Sequence, residues 1–250
     1  MDAPHTTMMD ERIDMAHWFP MVEPLDVPTP ETYKVELQQD GDGMPTFDMD
    51  RAVEIVTEFG GEAFIRSGYK SAALNSSESV IRSSEPERIN TQVSELLSQH
   101  VMMQLPTGGN VWFRELLDVN FCAYARENLA PEIRVFIRDN EVVCYHPRLE
   151  GFEKYPQHKE TAIDFIESAW EREYAEYETE YDKRESVKTY AERVADAVDG
   201  WWSVDFVMDK NGKCWLIDMA LDGVYDAEER NGEGLRHISE HPGDCEHQIV

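Results

Sequence analysis

Residues 203–222 read SVDFVMDKNGKCWLIDMALD, two apolar runs with a carboxylate in the body of each and an Asn-Gly pair between them. Asn211-Gly212 supplies the positive φ that a tight antiparallel turn needs, so the two runs form a hairpin. Asp205 and Asp218 then come side by side on neighbouring strands. Two carboxylates among apolar residues repel unless a proton or a cation intervenes, and hard oxygen donors of this kind suit Mg²⁺ bridging nucleotide phosphates. The plainer alternative is that one carboxylate caps a strand end and the other faces solvent.

Outward from this hairpin, EIRVFIRDNEVVCYHPRL at 132–149 reads as a second one, turning at Asp139-Asn140. Period-2 alternation sends Glu132 and Arg134 to one face and Ile133 and Val135 to the other. That polar face is either solvated or shared with Glu115 and Asp118 of the strand-like VWFRELLDVNF at 111–121. Between the two hairpins the pattern is helical from Lys159 to about Val198, with a break near Tyr181 to Arg184.

Further upstream, FDMDRAVEIVTEFGG at 47–61 places Ala52, Val53, Ile55, Val56 and Phe59 on a helical stripe, opened by an Asp cap and stopped at Gly60 and Gly61. A short buried strand, EAFIRS, follows, and SSEPERINTQVSELLSQHVMM at 83–103 gives a second helix. In FIRSGYKS at 64–71, Arg66 and Lys70 flank Ser67 and Gly68 at the end of that strand. A forked guanidinium and a point charge beside a glycine turn suit a polyphosphate; pairing with surface carboxylates is the alternative. The first 45 residues contain prolines at 20, 24, 28 and 30, which forbid a long helix and favour short extended pieces and turns.

The 250 residues carry 23 Lys and Arg against 51 Asp and Glu, a formal net charge of -28. With 41% hydrophobic and 10% aromatic residues the chain has the composition of a globular protein with a packed core. Charge of this size repels phosphate backbones, so no nucleic-acid partner is expected, although local basic pockets remain open. Spread over the whole length, it reads as adaptation to a salty solvent, where a Debye length of about 3 Å screens self-repulsion. No run of roughly 18 to 20 apolar residues exists, so no membrane is expected and the protein is taken to be cytoplasmic. Cys122, Cys144, Cys214 and Cys245 form no CxxC pair and are expected to be buried free thiols. His237, His241, Cys245 and His247 fall in the C-terminal LRHISEHPGDCEHQIV, either a zinc site or, as Pro242 and Gly243 favour, a polar tail.

The elements alternate in a way that suits an α+β protein with mainly antiparallel sheets. Their order, cations first, then a carboxylate-rich hinge, then Glu-x-Arg, then a hairpin with two aspartates, resembles the ATP-grasp superfamily from about Val27 to Val224. Within it the cell division cycle protein 123 family is similar, with an acidic residue before an Arg-containing strand and a terminal Trp-Leu-Ile-Asp run, as are small phage and prokaryotic ATP-grasp proteins. The resemblance implies two α+β subdomains that clamp ATP: a lead-in or cap at 1–45, a small subdomain at 46–117, a large subdomain with the metal-binding hairpin at 118–228, and a polar tail at 229–250. It implies that Arg66 and Lys70 hold ATP phosphates and that Glu115 and Leu117, with Asp118 beside them, lie at the adenine and ribose hinge. Arg134 would stabilise the transferred phosphoryl group, with Lys70 assisting, and Asp205 and Asp218 would ligate Mg²⁺. The activity implied is a carboxylate–amine ligase acting on a small-molecule or peptide acid; the alternative is a nucleotide-regulated factor for a protein partner. Ala220 stands where the family commonly places an Asn that completes the metal site, leaving Asp222 as a substitute or fewer ions bound.

Overall fold

The computed structural model describes residues 11–39, 41, 45–69, 79–102, 105–119, 122–124, 127–147 and 183–221. Lys70, Asp222, the helical pattern from 159 to 182 and the tail with its histidines and Cys245 lie outside the described residues. The chain forms two compact units, residues 1–20 with 30–116 and residues 21–29 with 117–250.

The first unit is built on a five-stranded, wholly antiparallel sheet of order β2-β1-β5-β3-β4, from β1 (Thr32–Gln39), β2 (Pro45–Phe47), β3 (Ala63–Ser67), β4 (Val80–Ile81) and β5 (Asn110–Arg114). A short helix α1 (Met15–Val22) precedes it; the prolines limit this helix to 8 residues, with Pro20 in its last turn. β1 falls in the stretch read from sequence as a lead-in, yet it is an inner strand, because beyond Pro30 the alternation Tyr33, Val35, Leu37 is free to face the core. Helix α2 (Met49–Glu58) starts at Asp48, whose side chain accepts from the Arg51 amide at 3.0 Å, and ends where Gly60 and Gly61 take positive φ. Helix α3 (Pro86–Met102) begins at a proline, as its sequence favours. Both helices cover one face of the sheet, where Ile55, Val56, Ile89, Val93 and Leu96 pack on Val35, Ala63, Ile65, Val111 and Phe113.

The second unit carries a four-stranded antiparallel sheet of order β11-β10-β8-β9 and a two-stranded ribbon of β6 (Cys122–Tyr124) and β7 (Glu127–Leu129). β8 (Glu132–Arg138) and β9 (Glu141–Pro147) turn at Asp139 and Asn140, both with positive φ as a type I′ turn requires. β10 (Trp201–Met208) and β11 (Cys214–Leu221) form the hairpin read from the sequence, with Gly212 at φ 80°. The turn is tied by Asp209, whose Oδ1 accepts from the amides of Asn211 (2.8 Å) and Lys213 (2.9 Å) and whose Oδ2 accepts from the Trp215 indole (2.9 Å). Helix α4 (Lys183–Ala195) packs against β8, β9 and β11. Cys214 is a buried free thiol, but Cys144 is disulfide-bonded, which corrects the expectation of four free thiols. No helix among the described residues is long and apolar enough to cross a membrane.

Candidate functional site

In the second unit, strand register lines up three of the residues singled out above. Arg134 on β8 pairs with Asp205 on β10, and Asp205 pairs with Asp218 on β11, so the three form one row across adjacent strands. Alternation turns Val135, Val204 and Met219 to the opposite face, and all three are buried. Arg134 grips Asp205 with a two-pronged fork: Nε donates to Oδ1 at 2.7 Å and Nη2 to Oδ2 at 2.8 Å. The side chains are 13% and 4% exposed, so this is a dry, charge-assisted pair. Asp218 is half-buried, and its Oδ1 accepts from the Met219 amide at 2.9 Å. A β-bulge follows at Asp205/Phe206, a common device for re-aiming a side chain next to a site.

The donor set bears on whether a divalent cation fits. Two facing carboxylates share the row, and a carboxylate oxygen can bind a cation while it accepts a hydrogen bond. Of the neighbouring rows, one offers Ser203 opposite Ala220 and the other brings Glu132 opposite Val207. Among the described residues no group of three or more His, Cys, Asp or Glu side chains is placed to hold a metal ion. Asp205 and Asp218 can therefore supply part of a Mg²⁺ shell, the remainder coming from nucleotide phosphates and water, as Mg²⁺ commonly takes it.

Arg66 lies in the first unit, on β3, at 3% exposure. It pairs across the sheet with Trp112 on β5, which pairs in turn with Lys34 on β1. The next row on the same face brings Thr32, Arg114 and Phe64 together, and Arg114 Nε donates to Thr32 Oγ1 at 3.2 Å. Three of the chain's 23 cations thus share one sheet face, opposite the face that α2 and α3 cover. Trp18 and Phe19 of α1 belong to the same cluster: the Arg66 guanidinium is 6.0 Å from the Trp18 ring, and Phe19 stands edge-on to both Trp18 and Trp112 at 5.9 and 6.0 Å. Sequence reasoning found Arg66 but missed Lys34, Trp112, Arg114 and Trp18. The available signal was Trp112 and Arg114 alternating with the core residues Val111 and Phe113.

Asp14, the N-cap of α1, sits beside this cluster. Its Oδ1 accepts from the Ala16 amide at 2.8 Å, and α1 docks on the loop after β3 through the Met15 amide and the Gly68 carbonyl at 2.7 Å. A Cβ at Gly68 or Gly108 would run into the Asp14 carboxylate, which is why glycine stands at both positions. Burial pushes the Asp14 carboxyl above its ordinary value of 3.8, against the opposing pull of the Ala16 amide and of Arg66. Ser67 Oγ bridges His100 Nε2 at 2.8 Å and the Tyr69 amide at 3.1 Å, which ties the same loop to α3.

The remaining candidates have local partners. The Glu115 amide donates to the Glu31 carbonyl at 2.8 Å. Leu117 is half-buried, and its carbonyl accepts from the Val119 amide at 3.1 Å. Asp118 is held to the β10–β11 turn: its carbonyl accepts from the Lys210 amide at 2.8 Å, and its carboxylate meets Lys210 Nζ at 2.5 Å.

No protein-family model matches the sequence, and no curated protein matches it. Solved structures are similar in fold. Cdc123 from Schizosaccharomyces pombe aligns with a TM-score of 0.49 and 12% identity over 88% of this chain and 88% of that one. D-alanyl-alanine synthetase A from Vibrio cholerae O1 biovar eltor aligns with a TM-score of 0.48 and 13% identity over 84% of this chain and 56% of the synthetase. The ATP-grasp ligase PsnB gives 0.44 and 12% over 87% of this chain and 54% of the ligase. The chain spans about half the length of these two ligases. At these scores the likenesses assign nothing to this chain: its own elements make it α+β with antiparallel sheets, and what its two polar rows do has to be argued from its own residues.

Proposed function

We propose that the chain binds ATP with Mg²⁺ and is a carboxylate–amine ligase that works through an acyl phosphate. The observation that carries this reading is the row Arg134–Asp205–Asp218, a guanidinium and two carboxylates aligned on one face of a sheet whose other face is core. Solvent adaptation does not explain a dry ion pair there, whereas handling of a phosphoryl group does. In the reaction a carboxylate oxygen of the acid attacks the γ-phosphorus as ADP leaves; an amine nitrogen then attacks the acyl carbon and inorganic phosphate departs. Asp205 and Asp218 would hold Mg²⁺, which supplies charge neutralisation at the phosphates. Arg66 and Lys70 would bind phosphate oxygens, and Glu115, Leu117 and Asp118 the adenine and ribose. Arg134 would offset negative charge on the phosphoryl group in transit, so that positioning and electrostatics provide most of the rate. The acid is a small molecule or a peptide.

A second reading is favoured by Ala220. With Ala220 where the family commonly places an Asn and with Asp205 gripped by Arg134, the same residues suit a nucleotide-regulated factor that engages a protein partner without turnover. Calorimetry with Mg-ATP, followed by assays of ADP release with candidate acids and amines, separates the two. Binding with steady ADP release dependent on an acid and an amine supports the ligase; binding without release supports the factor; absence of binding overturns both. Asp218→Asn is expected to weaken Mg-ATP binding at least about tenfold, and unchanged binding would remove Asp218 from the metal site.

A further inference from the structure

Ser67 and His100 both stand where apolar residues are expected. On β3, Ser67 continues the face of Ala63 and Ile65, which α3 helps to cover; on α3, His100 continues the stripe Ile89, Val93, Leu96. The two residues are 0% and 1% exposed, so neither can reach a ligand. Their hydrogen bonds have a direction. His100 Nδ1 lies 2.8 Å from the Leu96 carbonyl, which only accepts, so Nδ1 carries a proton. In the neutral ring Nε2 is then an acceptor, and the Ser67 hydroxyl donates to it at 2.8 Å. Ser67 Oγ in turn accepts from the Tyr69 amide at 3.1 Å. A chain of hydrogen bonds thus runs from the Tyr69 amide through Ser67 and His100 to the backbone of α3, each member polarising the next.

Such a pair adds little net stability, since apolar side chains of the same shape at both positions would serve the core about as well. What apolar residues cannot do is hold an amide in a fixed direction. The amide held here belongs to the residue just before Lys70. The rest of the turn is held too: the Gly68 amide donates to the Thr107 carbonyl at 3.0 Å, and the Gly68 carbonyl accepts from the Met15 amide at 2.7 Å. Three segments of the first unit, α1, the approach to β5 and α3, therefore converge on Gly68 and Tyr69, between Arg66 and Lys70. Both amides of this turn are engaged within the protein, so what the turn offers a ligand is the placement of the side chains on either side of it.

We propose that Ser67 and His100 are positioning residues for nucleotide binding: the neutral, Nδ1-protonated imidazole fixes the Gly68–Tyr69 turn through Ser67, and the turn sets Arg66 and Lys70 to take the phosphates. This deepens the nucleotide-binding reading and rests on it, placing a determinant of affinity in the core of the first unit. A turn fixed beforehand loses less freedom when the ligand arrives, and the gain in affinity arises there.

The test is the double variant Ser67→Ala with His100→Leu in the full chain. The Tyr69 amide is the group it releases, and at a half-buried residue that amide can turn to water. The urea midpoint should stay close to that of the wild type, the Tyr69 amide should exchange its hydrogen faster, and calorimetry should show Mg-ATP bound about three- to tenfold more weakly. A double variant that folds and binds Mg-ATP as the wild type does would make the pair purely structural and overturn the inference, while the nucleotide reading stands. If the wild type binds no Mg-ATP, the nucleotide reading falls and this inference with it. Should the double variant fail to fold, the side-chain ¹⁵N spectrum of the wild-type histidines decides. An Nδ1–H tautomer at His100 whose signals shift as Mg-ATP saturates the protein supports the proposal. An imidazolium, an Nε2–H tautomer, or signals indifferent to Mg-ATP that calorimetry shows to be bound would overturn it.

Discussion

Arg134 and Asp205 neutralise one another where neither is well hydrated, and that sets what substitution does to each. Removing one partner leaves the other charge buried and uncompensated, which costs about 3–5 kcal/mol, whereas replacing both with apolar residues of similar volume is close to neutral. Arg134→Met should therefore lower the urea midpoint strongly, and Arg134→Met combined with Asp205→Leu should recover most of the loss. Both variants should lose Mg-ATP binding. A double variant no more stable than the single one would mean that the row is held by something other than the fork. Asp14 offers a pH prediction. Its folded carboxyl titrates above its ordinary 3.8, so the folded state binds a proton that the unfolded state releases, and stability falls as pH rises from 3.8 through the raised value. Asn caps a helix as well as Asp does and does not titrate. Melting temperatures of wild type and Asp14→Asn should agree near pH 3 and separate as pH rises, the variant being the more stable; parallel curves would show that Asp14 gains no burial penalty on folding.

At the scale of elements, the β8–β9 turn is a joint as well as a reversal. Asn140, at φ 68°, donates through Nδ2 to the carbonyls of Ala195 (3.1 Å) and Val198 (3.2 Å), and so caps the C-terminal end of α4 while shaping the hairpin. Asn140→Gly keeps the backbone conformation and loses the cap; Asn140→Ala loses the cap and adds the cost of a Cβ at positive φ, about 1–2 kcal/mol. Chemical denaturation should rank wild type above the glycine variant and the glycine variant above the alanine one, with equal variants excluding a backbone contribution. Burial also pushes the Cys214 thiol up, so it stays protonated and should react with thiol reagents only on unfolding. Such turns were legible in the sequence because their chemistry is local: Asp139-Asn140, Asn211-Gly212, the Asp48 cap and the Gly60-Gly61 stop each act within a few residues. Alternation likewise put Glu132 and Arg134 on one face. What stayed hidden was register between distant strands. The fork from Arg134 to Asp205 spans 71 positions, and the row Lys34–Trp112–Arg66 draws on three strands far apart in sequence. No local pattern states which residue of one strand meets which residue of another. The place of β1 was obscured by the prolines ahead of it, and the contact of Asp14 with the Gly68 loop depends on how α1 docks.

At the scale of the whole molecule the charge of -28 sets the conditions under which every other prediction is read. Three cations face one way on the first unit's sheet, and the row on the second holds one more. The remaining cations are outnumbered by carboxylates, and exposed pairs such as Arg51–Glu54 and Arg82–Glu62 contribute little stability each. Self-repulsion is therefore uncompensated in dilute buffer, where the Debye length reaches about 30 Å at 0.01 M and couples carboxylates across a whole unit. It shrinks to about 3 Å at 1 M and leaves only nearest neighbours interacting. Stability should rise steeply with KCl between these limits and then level off. At roughly 2–4 °C per kcal/mol for a chain of this size, relief of a few kcal/mol corresponds to a gain on the order of 10 °C in melting temperature. The buried Arg134–Asp205 pair is shielded from ions by the protein itself, so the stability difference between wild type and Arg134→Met should stay nearly constant across the same range. A melting temperature indifferent to KCl would mean that the carboxylates are neutralised locally, and the acidity would then have to be explained as a surface for a cationic partner.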